Sequence, residues 1–146
     1  MKRKSLWLII FTILWGSSIA QKDWAEKLRR SAMEGLKSAK NDQARLDLNS
    51  DIFASYIWSY PDSALPYAHQ VMLLAQRLKS DEAPVGAYGQ MITFSEITGN
   101  SPQALRYGFE GLKAAERTKN FLSIMFAYAA LSRVYNYQGD HSRAIL

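Results

Sequence analysis

One small pattern recurs along this chain every 40 residues. Ala64-Leu65, Ala104-Leu105 and Ala144-Ile145 stand in step, and Gly99-Asn100 and Gly139-Asp140 precede the second and third of these pairs. Tyr88 and Tyr128, Met91 and Leu131, Ala75 and Ala115, Arg77 and Arg117, and Lys79 and Lys119 share the register. A fixed period of about 20–50 residues marks a repeat array, in which each unit buries its apolar face only against its neighbours. The fold class this predicts is all-α: a solenoid of antiparallel helix pairs, with an extended surface for binding.

The units read as helix A, short turn, helix B, short turn. Asp23 is expected to cap a first helix whose apolar positions Trp24, Leu28, Ala32, Leu36 and Ala39 recur at helical spacing. A second helix is expected over residues 43–59. Pro66 lies in the third, and a proline deep in a helix costs about 3 kcal/mol. That helix is therefore expected to start near Ser63 and to run to about Lys79. Val85, Tyr88, Met91, Ile92, Ser95 and Ile97 define a fourth helix. Gly99 suits its end, Ser101 is the expected N-cap of the fifth helix, and Pro102 fits that helix's first turn. A sixth helix carries Met125, Tyr128, Leu131, Val134 and Tyr135, and a seventh begins near His141. No stretch alternates with period two long enough to suggest a strand. With only 4 prolines and 8 glycines among 146 residues, the composition suits long helices.

Residues 1–20 have the layout of a secretory signal peptide. Lys2-Arg3-Lys4 is positive, Leu6 to Trp15 is apolar apart from Thr12, and Ser18 and Ala20 are small residues at the spacing signal peptidase accepts. The apolar run falls short of the ~20 residues that span a bilayer, so cleavage after Ala20 is expected. The mature chain, residues 21–146, would then be an exported array of about three repeats, periplasmic or on the extracytoplasmic side of an inner membrane. Without the leader, 18 Lys and Arg become 15 against 13 Asp and Glu, a net charge of +2. That is too small to argue for nucleic acid. The chain has no cysteine, which excludes disulfides, thiolate catalysis and an acylated lipoprotein anchor.

Catalytic constellations are missing from the sequence. His69 and His141 stand far apart, with no metal-ligand spacing. Glu96, Glu110 and Glu116 are scattered and form no acid–base pair. Gly108-Phe109-Glu110-Gly111 has the GxxG form of an RNA clamp, but its place mid-helix points to close helix packing. No cofactor, metal or enzymatic activity is expected within these residues. Most of the aromatics Trp24, Phe53, Tyr56, Trp58, Tyr88, Phe94, Tyr107, Phe109, Phe121, Phe126, Tyr128, Tyr135 and Tyr137 are expected to fill layers between repeats.

The repeats resemble the tetratricopeptide family. There, a helix-A tyrosine or leucine is followed by a turn glycine, an acidic or amide residue, and an alanine five residues after the glycine. Gly99-Asn100 with Ala104, and Gly139-Asp140 with Ala144, match this form, with Tyr128, Leu131 and Tyr135 preceding the latter. Ala64 is kept in the first unit, where Ser59-Tyr60-Pro61 replaces the glycine turn. The period exceeds the family's ~34 residues, implying longer helix pairs. The resemblance covers residues 24–146. It implies that a partner protein or peptide lies along the helix-A side. Carried over by register, the contact positions are Asn49, Phe53 and Tyr56, then Thr93 and Glu96, then Arg133 and Asn136. Gly86 and Gln90 stand where some members place a basic clamp.

Such repeats behind a signal peptide are also similar to the extracytoplasmic sensor regions of bacterial histidine kinases, where a membrane helix and signalling domains follow. The expected function is therefore a binding scaffold forming the sensor part of a longer membrane-bound signalling protein. The rivals are a free periplasmic assembly factor and the docking region of an enzyme whose catalytic domain lies beyond residue 146. Membrane attachment is expected only through the leader or a downstream span. Ile145-Leu146 falls in the first turns of a helix without a polar cap, which suggests a truncated array whose open end is free to self-associate.

Overall fold

The computed structural model describes residues 22–78 and 80–144. The expected leader, Lys79 and residues 145–146 lie outside them, and residues 141–144, where a seventh helix is expected to begin, form a turn. The described residues form six helices and no strand: α1 (22–38), α2 (Asp42–Tyr56), α3 (Pro61–Arg77), α4 (Glu82–Ile97), α5 (Ser101–Thr118) and α6 (Phe121–Tyr137). The even-numbered helices recur with the period of the sequence pattern. None of the six is long and apolar enough to cross a membrane.

Local chemistry sets the helix boundaries. In α1, Asp23–Lys27 (2.7 Å) and Glu26–Arg30 (3.0 Å) pair at i,i+4, with the acid on the N-terminal side, which also suits the helix dipole. Asp23 thus lies inside the first turn of α1 and does not cap it. Asn41 caps α2, accepting the Ala44 N–H at 2.8 Å. Helix α2 stops at Tyr56, short of the expected Ser59.

Helix α3 begins at Pro61, not near Ser63, so Pro66 lies more than one turn inside it. The proline is tolerated because it is exposed. Water can then serve the backbone carbonyl that its missing N–H would have paired. Asp81 is the N-cap of α4 without a side-chain cap bond, and the Ser80 hydroxyl before it accepts the Ala83 N–H (3.3 Å). Asn100, not Ser101, caps α5 through the Gln103 N–H (3.2 Å). Proline is as well accommodated at the second helical position as at the first, because every N–H of the first turn lacks an intrahelical partner.

The turns after α4 and α6 repeat bond for bond. Gly99 and Gly139 adopt φ of +73° and +74°, the left-handed region that glycine enters without a Cβ clash. The Gly99 N–H donates to Glu96 O (3.1 Å) and the Asn100 N–H to Ser95 O (2.8 Å); the Gly139 N–H donates to Asn136 O (3.0 Å) and the Asp140 N–H to Tyr135 O (3.0 Å). This is the 6→1 and nested closure of a Schellman cap. The first unit closes differently. With Ser59 in place of glycine, the Ser59 and Tyr60 N–H groups both donate to Tyr56 O, at 3.0 and 2.8 Å.

Packing runs mainly between helices adjacent in sequence: α2 on α3, α3 on α4, α4 on α5 and α5 on α6, with α4 also meeting α6. Ala64 and Ala104 are fully buried, and Ala144 is nearly so. One core layer joins Phe53, Ile57, Ala64, Ala68 and Met91 across α2, α3 and α4. The next joins Ile92, Ala104 and Val134 across α4, α5 and α6. Ser55 and Ser95 share a register position, are buried, and return their hydroxyls to their own helix, on Ile52 O (2.7 Å) and Met91 O (2.8 Å). These two buried hydroxyls are thereby satisfied. The Gly108 and Gly111 pair is a packing device. A Cβ on Gly108 would lie 2.5 Å from Leu131 Cδ2, and one on Gly111 would lie 3.1 Å from Tyr88 Cβ.

Candidate functional site

Helices α2, α4 and α6 supply the positions that the sequence assigns to ligand contact, and the structure divides them. Asn49 and Phe53 are corrected to the interior. Asn49 is buried and donates through Nδ2 to Arg45 O at 2.7 Å, while Phe53 is buried among Ile57, Ala64, Ala68 and Met91. Neither offers surface to a partner. Tyr56 is half-buried at the centre of an aromatic group. It stacks on Tyr67 (centroids 6.0 Å, planes 19° apart), meets Tyr60 edge-on at 6.4 Å, and lies under the Arg29 guanidinium at 4.7 Å. These contacts tie α1, α2 and α3 together. Asn136 is exposed, with Oδ1 3.1 Å from His141 Nδ1.

Thr93, Glu96 and Arg133 do come together. With Trp58, Ile97 and Tyr137 they line a recess of about 290 Å³ at the C-terminal ends of α4 and α6. Arg133 donates through Nε to both Glu96 carboxylate oxygens at 3.0 Å. The two groups differ in environment: the Glu96 side chain is 9% exposed and that of Arg133 49%. Glu96 is therefore the more enclosed partner, and Nε is the Arg133 donor that it engages. Thr93 Oγ1 is held on Gly89 O at 3.0 Å. Trp58 and Tyr137 wall the recess and are 71% and 73% exposed. The sequence places most of the aromatics in the core, and these two are not among those buried. The signal against that placement is their position, each within two residues of a helix-A turn, where the chain leaves the packed layer.

A second recess of about 300 Å³ lies toward the N-terminal ends of α2 and α4, lined by Gln43, Leu46, Ser50, Glu82, Gly86 and Gln90 among others. The Gln90 Oε1 in its wall is buried without a hydrogen-bond partner. Glu82 is committed to structure, accepting from Asn120 Nδ2 (3.1 Å) and Ser123 Oγ (2.7 Å). The parallel pair α4 and α6 is thus fastened by Glu82 at one end and Glu96 at the other.

The remaining chemistry is sparse. No cluster of three or more His, Asp or Glu able to hold a metal occurs among the described residues. His69 is exposed and His141 faces Asn136. Asp140 has its pKa lowered, chiefly by the Ser142 hydroxyl donating to it and then by the Arg143 backbone N–H, a capping arrangement and not a catalytic one. No protein-family model matches this chain, and no curated protein matches its sequence.

Proposed function

We propose that this chain is a tetratricopeptide-type solenoid that binds a protein or peptide along its α2–α4–α6 face, exported by residues 1–20 and serving as the sensor part of a longer signalling protein. The periodic helices, the duplicated glycine turns and the buried alanines support the repeat reading. The observation that carries the binding reading is the recess between α4 and α6. Its two exposed aromatic walls flank an arginine whose position is set by an almost buried glutamate. Tryptophan, tyrosine and arginine are the side chains that most often dominate the energy of a protein interface. Here all three converge, and Arg133 is already held on Glu96, which lowers the ordering cost of that side chain on binding. A bound segment would stabilise the array by mass action, and that change is the signal available to downstream domains.

Selection of peptides from a displayed library on the full chain tests this. Trp58→Ala and Arg133→Ala should each weaken the selected peptides by roughly tenfold or more, the loss typical of an interface hot spot. Asp51→Asn, on an exposed position of α2, should leave affinity unchanged. Peptides that bind both recess variants as tightly as the parent chain would refute the site.

A further inference from the structure

Two grooves of matching register lie between the even-numbered helices, and their linings differ. One is the recess of about 300 Å³ between α2 and α4, whose lining includes Val71, Gly86, Ala87 and Gln90. The other lies between α4 and α6, encloses about 80 Å³, and has Gly111, Phe126, Ala127 and Ala130 at the matching positions. Gly86 thus stands where the second groove has a phenylalanine, and Gln90 where it has an alanine. A Cβ on Gly86 would meet nothing within 4 Å, so helix packing does not demand the glycine. Within a helix it is a weakening residue. Its effect here is to leave the first groove open.

The open groove also holds an unmet acceptor. Gln90 Oε1 is buried without a hydrogen-bond partner, a state that folded proteins seldom retain. The Gln90 residue as a whole is half-buried, so rotation about its side-chain bonds carries the amide oxygen into the recess. From this we infer that the recess receives a lysine side chain of the bound segment, with its ammonium between Gln90 Oε1 and Glu82. An amide can face a donor or an acceptor, and the carboxylate decides between them. Glu82 is the only charged residue among the described residues that line the recess, and its partners Asn120 and Ser123 are neutral. Each carboxylate oxygen accepts one bond from them and keeps a second lone pair. The Ser50 hydroxyl spends its proton on Leu46 O (2.9 Å), which leaves its oxygen as an acceptor. An ammonium is a donor only, and so matches this rim. Val71 and Ala87 are buried and apolar, a floor along which a lysine's methylene stem can lie while its charge stays at the rim. The source of the lysine rests on the peptide-binding reading. Gly86 and Thr93 lie two turns apart on one stripe of α4, so one extended segment can reach both recesses.

Titration of the isotope-labelled full chain with Nα-acetyl-lysine methylamide, followed by amide NMR shifts, tests the inference against the apolar norleucine analogue. The lysine compound should shift amides within residues 83–90 and saturate with a dissociation constant on the order of 1 mM, the strength open to so small a ligand. The norleucine compound should not. Gly86→Phe, which copies the second groove, should abolish the effect. Gln90→Leu, which deletes the acceptor, should weaken it about tenfold. Gln90→Leu also removes a buried orphan, so its thermal midpoint should not fall, and it carries the test should Gly86→Phe fail to fold. Equal shifts from norleucine, no saturable shift from lysine up to about 50 mM, or parent-like binding by either variant would overturn the proposal. The two readings fail separately. Selected peptides that need Trp58 and Arg133 but carry no lysine would overturn this inference alone. Lysine shifts in a chain that selects no peptide would overturn the peptide reading, and with it the lysine's source.

Discussion

Glu96 and Arg133 stand 37 residues apart in sequence and 3.0 Å apart in space, and they join α4 to α6 at the end opposite Glu82 and Ser123. The pair is asymmetric, because the carboxylate is nearly buried and the guanidinium half-exposed. Removing the arginine strands a desolvated charge, whereas removing the glutamate leaves an arginine that water can reach. Arg133→Ala should therefore cost about 1 kcal/mol and Glu96→Ala under about 0.5 kcal/mol, read from urea midpoints at constant slope. Equal losses would contradict the asymmetry.

Glycines in neighbouring helices should respond oppositely to a methyl group. Gly108→Ala puts a Cβ 2.5 Å from Leu131 Cδ2 and 3.1 Å from its Cγ, so the buried Leu131 must shift, and overpacking of this kind costs about 1–3 kcal/mol. A Cβ on Gly89 of α4 meets nothing within 4 Å, so Gly89→Ala should stabilise by roughly 0.5–1 kcal/mol through helix propensity. Thermal unfolding of the two variants side by side gives the answer, and a shared sign would be inconsistent with the packing described.

The duplicated turns make a matched pair of experiments. At Gly99 and Gly139 an L-residue with a Cβ enters the left-handed region at a cost of about 1–2 kcal/mol, and asparagine suffers least. Gly99→Ala should therefore be more damaging than Gly99→Asn. Ser59→Ala should be nearly silent, since the first unit makes its turn without positive φ.

Acid should act on the second glycine turn through Asp140. Its pKa lies below the usual 3.8 because the Ser142 hydroxyl and the Arg143 N–H donate to the carboxylate. A group whose pKa is lowered by folding stabilises fully above its unfolded value and loses that contribution as pH falls through the folded value. The cap should thus persist down to about pH 4 and open only below it. The Arg143 amide shift, followed by NMR through an acid titration, should move with a midpoint under 3.8 and become pH-independent in Asp140→Asn. A midpoint above 3.8 would show that the carboxylate is not held.

Periodicity was the part of the fold most legible in sequence. Ala64, Ala104, Gly99 and Gly139 can be read directly because each has one physical job that few other residues perform. Caps were less legible: Asn100 and Ser101 are both good N-caps, and proline after them fits either reading. Ligand positions were least legible. Phe53, Thr93 and Arg133 occupy one register position, yet the first is buried, the second half-buried and the third exposed. Equal register fixes where a residue sits on its own helix. It does not fix how many neighbouring side chains close over it, and Phe53 lies under Met91 and Ala68 where Arg133 reaches open surface.

In the solenoid proposed above, packing between helices adjacent in sequence gives a mechanical character that a globular core lacks. Pulled from its ends, it should yield in steps and not all at once, each step releasing one 40-residue unit and about 140 Å of extended chain. The cross-links at Glu82 and Glu96 lie across a unit boundary and would set the force at which α4 and α6 part. An array of this kind is a graded spring, and a ligand bridging two of its helices would stiffen it.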